Sequence, residues 1–265
     1  MSKSECCYKG PGYSTPLDAF KNGKREELIY VTAVSLNKDK PDFLATVDVN
    51  PESETYAKIV HRCYMPHLGD ELHHSGWNAC SSCYGDTTTS RDKLVLPSLV
   101  SDRIYLVDTR ESRAPQLYYE IGQEELHKLG VSAPHTSHCL ANKQIMISTM
   151  GDQNGEGKGS FLLLNEDAKE KKFTVDKLWG NKTPEFGYDF WYQPRHNIMI
   201  STEYGAPRAF RRCFDPNDFQ NGDYGHSVHL WDWTSGELLQ SFDLSKDGGQ
   251  IPLEVRFLHN PESRT

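Results

Sequence analysis

Three observations predict an all-β fold of the β-propeller class: short runs rich in β-forming residues, turn residues between them, and a long internal period. Four apolar runs, Leu28 to Val31, Leu94 to Leu96, Ile145 to Ile147 and Ile198 to Ile200, read as one strand repeated. Each is followed by a second run, Phe43 to Val49, Ile104 to Asp108, Phe161 to Asn165 and Val228 to Asp232. Third runs follow at Leu117 to Ile121 and Leu238 to Phe242. From the second unit onward the first strands start about 50 residues apart, a period suited to a four-stranded propeller blade. The fourth strand of each blade is less evident. Helices are disfavoured because the runs are short, rich in Val, Ile, Tyr and Phe, and punctuated by Gly, Pro, Asn and Asp.

Just before three of the first strands stands a related segment: Leu72 to Trp77, Pro134 to Cys139 and Tyr188 to Tyr192. A fourth copy, Leu253 to Asn260, lies near the last residue, Thr265. The expectation is therefore an N-terminal arm over 1–26 and a partial propeller over 27–265, truncated to about four blades. Such an array would expose an apolar blade face and unpaired strand edges. A complete four-bladed ring with a tail is the alternative.

With 265 residues, 37% apolar and 11% aromatic, the chain can bury one large β core. Its net charge of -8 opposes general binding to phosphate backbones and anionic membranes, so nucleic acid is not an expected partner. Residues 1–12 lack the apolar core of a signal peptide, and no apolar run approaches the ~20 residues needed to span a bilayer, which predicts a cytosolic or nuclear protein. Seven cysteines without an export signal point to thiols, metal ligands or redox groups in place of a disulfide framework.

In a propeller, segments entering the innermost strands converge on the central channel. The repeat alignment makes His74, His135, Asp189 and Glu254 equivalent, with His73 and His138 in the same segments. Imidazoles suit copper, zinc, iron or nickel, and nearby thiols shift the balance toward copper or zinc. Successive residues of a regular strand point to opposite faces, so His73 and His74 reach one metal only if the backbone bends, for which Ser75 and Gly76 offer a place.

Cys80-Ser81-Ser82-Cys83 has the spacing of a metal clip or reversible disulfide. Thioredoxin-like exchange is disfavoured, because Gly85 to Ser90 reads as loop where a helix would be needed. A zinc clip of His74, Cys80 and Cys83 is one alternative and plain loop cysteines are another. Cys139 is expected to be buried beside His138. Cys6 and Cys7 fall in the arm, and Cys63 and Cys213 stand alone. The aromatic patch from Tyr188 to Tyr192 reads as blade core, with a pocket wall as the alternative. Trp231-Asp232-Trp233 reads as a strand ending. Gly151 to Ser160 lacks the Walker order and reads as a hairpin loop. No GxSxG elbow, HExxH or EF-hand loop occurs.

Gly10 to Pro16, Asp70 to Asn78, His135 to Cys139 and Gly187 to Asn197 closely resemble the selenium-binding protein family, also called methanethiol oxidases. The resemblance runs from Gly10 to Pro261 and implies a WD40/YVTN-like propeller, seven-bladed when complete, of which this chain is little more than the N-terminal half. It implies copper-dependent oxidation of methanethiol with O2 and water to formaldehyde, hydrogen sulfide and hydrogen peroxide. Carried over, the His-His and His-Thr-Ser-His motifs nominate His73, His74, His135 and His138 as metal ligands, with a further histidine beyond the segment present here. Asp189 and Glu254 are candidate bases. The resemblance also implies selenium binding and a part in transport within the Golgi, loosely attached to membranes. Ala57 stands where vertebrate relatives carry a selenium-linked cysteine, which leaves Cys80, Cys83 and Cys139 as thiol or selenium candidates. The competing reading is a noncatalytic propeller that binds selenium or partners through thiols.

Overall fold

A computed structural model describes residues 11–212, 215–258 and 260. Cys6, Cys7, Cys213 and His259 lie outside the described residues. The chain runs through four consecutive antiparallel sheets, each an up-and-down meander in sequence order. The first has three strands, β1 (Leu28–Ala33), β2 (Phe43–Asp48) and β3 (Ile59–Tyr64). The second comprises β4 (Gly76–Trp77), β5 (Lys93–Pro97), β6 (Ile104–Asp108) and β7 (Gln116–Ile121). The third comprises β8 (Ser132–Cys139), β9 (Ile145–Gly151), β10 (Gly157–Asp167) and β11 (Lys172–Trp179). The fourth comprises β12 (Phe190–Gln193), β13 (Ile198–Thr202), β14 (Ser227–Asp232) and β15 (Leu238–Asp243).

Four short helices join the scaffold, α1 (Pro16–Asn22), α2 (Gln123–His127), α3 (Pro207–Phe210) and α4 (Asn217–Gln220). In α1 the Thr15 hydroxyl accepts from the Asp18 amide and Pro16 begins the first turn, so this part of the expected N-terminal arm is helical. None of the described helices is long and apolar enough to cross a membrane.

Alternation within the strands explains how the sheets stack. In β5, Leu94 and Leu96 face Leu44, Cys63 and Met65 of the first sheet region, while Val95 turns to the other side and joins Ile145, Ile147 and Leu162 of the third. Met146 and Leu163 point away from that cluster and pack with Phe190, Met199 and Trp231 of the fourth sheet. The second and third sheets are thus buried on both faces, which is why β5 and β9 read as unbroken apolar runs.

The runs at Leu94, Ile145 and Ile198 are the second strands of their sheets and not the first. The missing fourth strand is the His- or aromatic-bearing segment before each: β4, β8 and β12. Its strand character is masked in sequence because β4 has two residues and β8 is bulged and polar. The copy at Leu253 forms no strand among the described residues, although its backbone touches the fourth sheet: the Thr202 hydroxyl donates to Leu253 O at 2.6 Å.

Candidate metal and thiol site

His73 and His74 sit in irregular backbone between an isolated bridge at Leu72 and the start of β4. The bend lies earlier than expected. Glu71 adopts φ 59°, in the left-handed region, whereas Gly76 lies within β4 and serves another purpose. A Cβ on Gly76 would stand 2.5 Å from Ser137 O, so glycine lets β4 approach β8 of the next sheet. In β8, Ala133 has φ 52° and the register with β9 shifts between Pro134 and Ser137, a bulge that interrupts side-chain alternation around His135.

These two irregularities bring three imidazoles together. The ring centroids of His74 and His135 are 4.3 Å apart, and His73 lies 5.2 Å from His74 and 5.0 Å from His135. One ring nitrogen of each falls within 4.8 Å of the others. His73 is exposed, His74 half-buried and His135 wholly buried, so the cluster grades from solvent into the protein. The Tyr188 ring centroid lies 4.0 Å from that of His135.

His135 Nδ1 is 3.1 Å from the Thr136 hydroxyl, whereas Nε2 is buried and has no hydrogen-bond partner. With Nδ1 donating to Thr136, Nε2 keeps an unshared lone pair. Burial, then the neighbouring His74 and His73, hold the His135 pKa well below the ordinary histidine value. His74 is lowered by burial and by His73. Two imidazoles whose charged form burial disfavours, one of them with a buried, unsatisfied nitrogen, beside a third imidazole are a donor set that fits a transition metal.

The other candidates divide. His138 is not in the cluster: its Nε2 donates to Phe190 O at 3.0 Å, and its ring packs edge-on to Phe190 and Trp191. Glu254 reaches the cluster, with Oε1 3.8 Å from His74 Nε2. Asp189 is buried, and its Oδ2 accepts from Val255 N at 3.0 Å and Arg256 Nη1 at 2.6 Å. Arg256 also pairs with Glu254 and lies 4.7 Å over the Trp191 ring. Repeat alignment missed it, because charge pairing across strands leaves no trace in apolar periodicity.

The thiols form a second group. Cys139 Sγ donates to Cys80 Sγ at 2.7 Å, while Cys83 turns away to Leu140 O at 3.5 Å. No clip of His74, Cys80 and Cys83 forms among the described residues. Tyr188, Phe190 and Tyr192 divide between the roles considered for them: Phe190 is core, and Tyr188 is a wall of the histidine cluster.

The sequence profile of the 56 kDa selenium binding protein family matches residues 7–265. The methanethiol oxidase of Danio rerio is 54% identical over 265 residues, covering 97% of this chain and 56% of that protein. The methanethiol oxidase of Homo sapiens is 53% identical over 264 residues, covering 98% and 55%. The chain therefore spans little more than half the length of these curated relatives. Among solved structures, a hypothetical selenium-binding protein from Sulfolobus tokodaii superposes with a TM-score of 0.82 at 35% identity, over 94% of this chain and 55% of that one. A periplasmic gluconolactonase from Pseudomonas aeruginosa, 12% identical, shares the fold with a TM-score of 0.53 over 86% of this chain and 56% of that one.

Proposed function

The chain belongs to the 56 kDa selenium-binding protein family, and from that premise we propose that it carries the metal-binding half of a methanethiol oxidase built on a β-propeller. Four sequential meanders stacked face to face, with β4 beside β8 at the inner edge, support reading the sheets as consecutive blades. The observation that carries the functional reading is the convergence of one ring nitrogen each from His73, His74 and His135 within 4.8 Å of one another, with Nε2 of His135 buried and unsatisfied.

Copper is the metal we assign, held by these three imidazoles; once bound it supplies redox chemistry and a soft acceptor for a thiolate sulfur. The chain's own residues do the rest. Thr136 fixes the His135 ring, and Tyr188 walls the buried side against water. Glu254, half-exposed beside His74, is placed to take the substrate thiol proton. Asp189, bonded to Arg256 and Val255, positions the segment that carries Glu254 and is the weaker of the two candidate bases.

The test measures copper in the purified chain together with peroxide release on addition of methanethiol and O2. Bound copper that His135→Gln abolishes supports the assignment. Absence of copper from the wild-type chain, under conditions that load a full-length relative, would move the site elsewhere and favour the noncatalytic thiol-binding reading.

A further inference from the structure

The CxxC spacing pairs Cys80 with Cys83 on paper, but the fold pairs Cys80 with a different cysteine, 59 residues away in sequence. Cys80 stands at the start of the 3-10 turn Ser81–Cys83, and Cys139 ends β8. Their sulfurs are 2.7 Å apart, whereas the Cys83 thiol is spent on the Leu140 carbonyl at 3.5 Å. The Ser82 hydroxyl lies 3.3 Å from Cys80 Sγ and 3.6 Å from Cys139 Sγ, placed to donate to either sulfur as a thiolate. Cys80 is partly exposed and Cys139 buried. That is the order needed for an attacking thiol that meets solvent and a resolving thiol kept behind it.

We propose that Cys80 and Cys139 form a peroxide-oxidised, thiol-reducible disulfide that ties the turn after β4 to the end of β8. Cys80 gives up its proton, the thiolate attacks one oxygen of hydrogen peroxide, the O–O bond breaks, and the departing hydroxide takes up that proton and leaves as water while Cys80 becomes a sulfenic acid. Cys139 sulfur then attacks Cys80 sulfur, the S–O bond breaks, and the second oxygen leaves as water with the Cys139 proton. In sum two thiols and one peroxide give one disulfide and two waters. The hydrogen bond from Cys139, the largest cause, lowers the Cys80 pKa despite burial and so favours the thiolate that starts the sequence. Closing the bond needs the sulfurs to approach by only about 0.7 Å from their present separation. The linkage joins the two segments that present His73 and His74 on one side and His135 on the other.

The experiment treats the chelator-treated chain with hydrogen peroxide, alkylates residual thiols and maps peptides without reduction. Two of the seven cysteines should be lost to alkylation, and a Cys80–Cys139 peptide pair two hydrogens lighter should appear and vanish on dithiothreitol. Cys83→Ser should still form it. Cys139→Ser should leave Cys80 as a sulfenic acid that dimedone traps. A Cys80–Cys83 link in the wild-type chain, or full alkylation of Cys80 and Cys139 after peroxide that oxidises free glutathione, overturns the proposal. Because metal is removed beforehand, the result is independent of the copper assignment.

Discussion

His135 and His138, three residues apart on β8, illustrate how one strand serves two environments. His135 has a buried nitrogen without a partner, and His138 has its nitrogen satisfied by Phe190 O. Removing the Thr136 hydroxyl frees the His135 ring to rotate, so Thr136→Val is expected to weaken copper binding by about 10-fold while leaving the melting temperature nearly unchanged. Isothermal titration with copper decides it, and equal affinities would refute the orienting role. For His138, burial is the largest cause and brings the pKa to about 4. The unfolded chain takes up a proton on this side chain as pH falls through the ordinary histidine range, while the folded chain resists until pH nears 4. Stability is therefore full above the ordinary histidine value and drains away between there and pH 4, by up to about 3 kcal/mol. His138→Gln, which keeps a donor for Phe190 O, should flatten that part of the stability profile, and denaturant titration across the same pH window gives the answer. At this scale three of the four ligand candidates nominated from the sequence meet, since His-His and His-Thr-Ser-His both lie in repeated segments. What it hid was the bulge at Pro134 to Ser137, which breaks the two-residue alternation from which side-chain direction is inferred.

Strands β4 and β8 are the elements that make the site, and their contact depends on one missing side chain. A methyl on Gly76 would press on Ser137 backbone oxygen at 2.5 Å, against an atom that cannot swing aside. Gly76→Ala should therefore cost about 1–3 kcal/mol of stability and displace β4 from β8. Because the displacement separates His73 and His74 from His135, copper affinity should fall more than in Gly85→Ala, where φ is 92° and a Cβ meets nothing within 4 Å, so that variant carries backbone strain but no clash. Calorimetry and copper titration on the two variants test this, and equal copper affinity in both would show that the close approach does not build the site. The second and third strands of each repeat were plain from their apolar runs. The first strands of the second and third sheets were not, because β4 is only two residues long and β8 is polar and bulged. The pairing of Cys80 with Cys139 was hidden for the same reason: it depends on strand neighbours, and spacing in sequence suggested Cys83 instead.

Across the whole molecule the interior sheets and the outer ones differ in what they show to solvent. Every residue of β9 is buried, yet in β1 Ile29 is 46% and Val31 42% exposed, alternating with half-buried Leu28 and Tyr30. At the other end of the stack, β15 exposes Leu239 at 53% and Phe242 at 44%. Apolar side chains on alternate positions of a strand are the pattern of a face that packs against another sheet, and β1 carries it, whereas Leu239 and Phe242, three residues apart, expose apolar surface on β15 without that alternation. The chain covers 55% of the length of its human relative, which leaves that protein with further chain to set against such faces. Joining the chain to the C-terminal portion of a curated relative should then bury these four residues, raise the melting temperature by several degrees, and tighten copper binding by fixing the sheets that present His73, His74 and His135. Hydrogen exchange over β1 and β15 reads burial directly, and calorimetry with copper titration reads the other two effects. Unprotected β1 and β15 amides in the joined protein would show that the exposed faces are simply the surface of the stack; protection without tighter copper binding would show that the three histidines are already held as firmly as the fold can hold them.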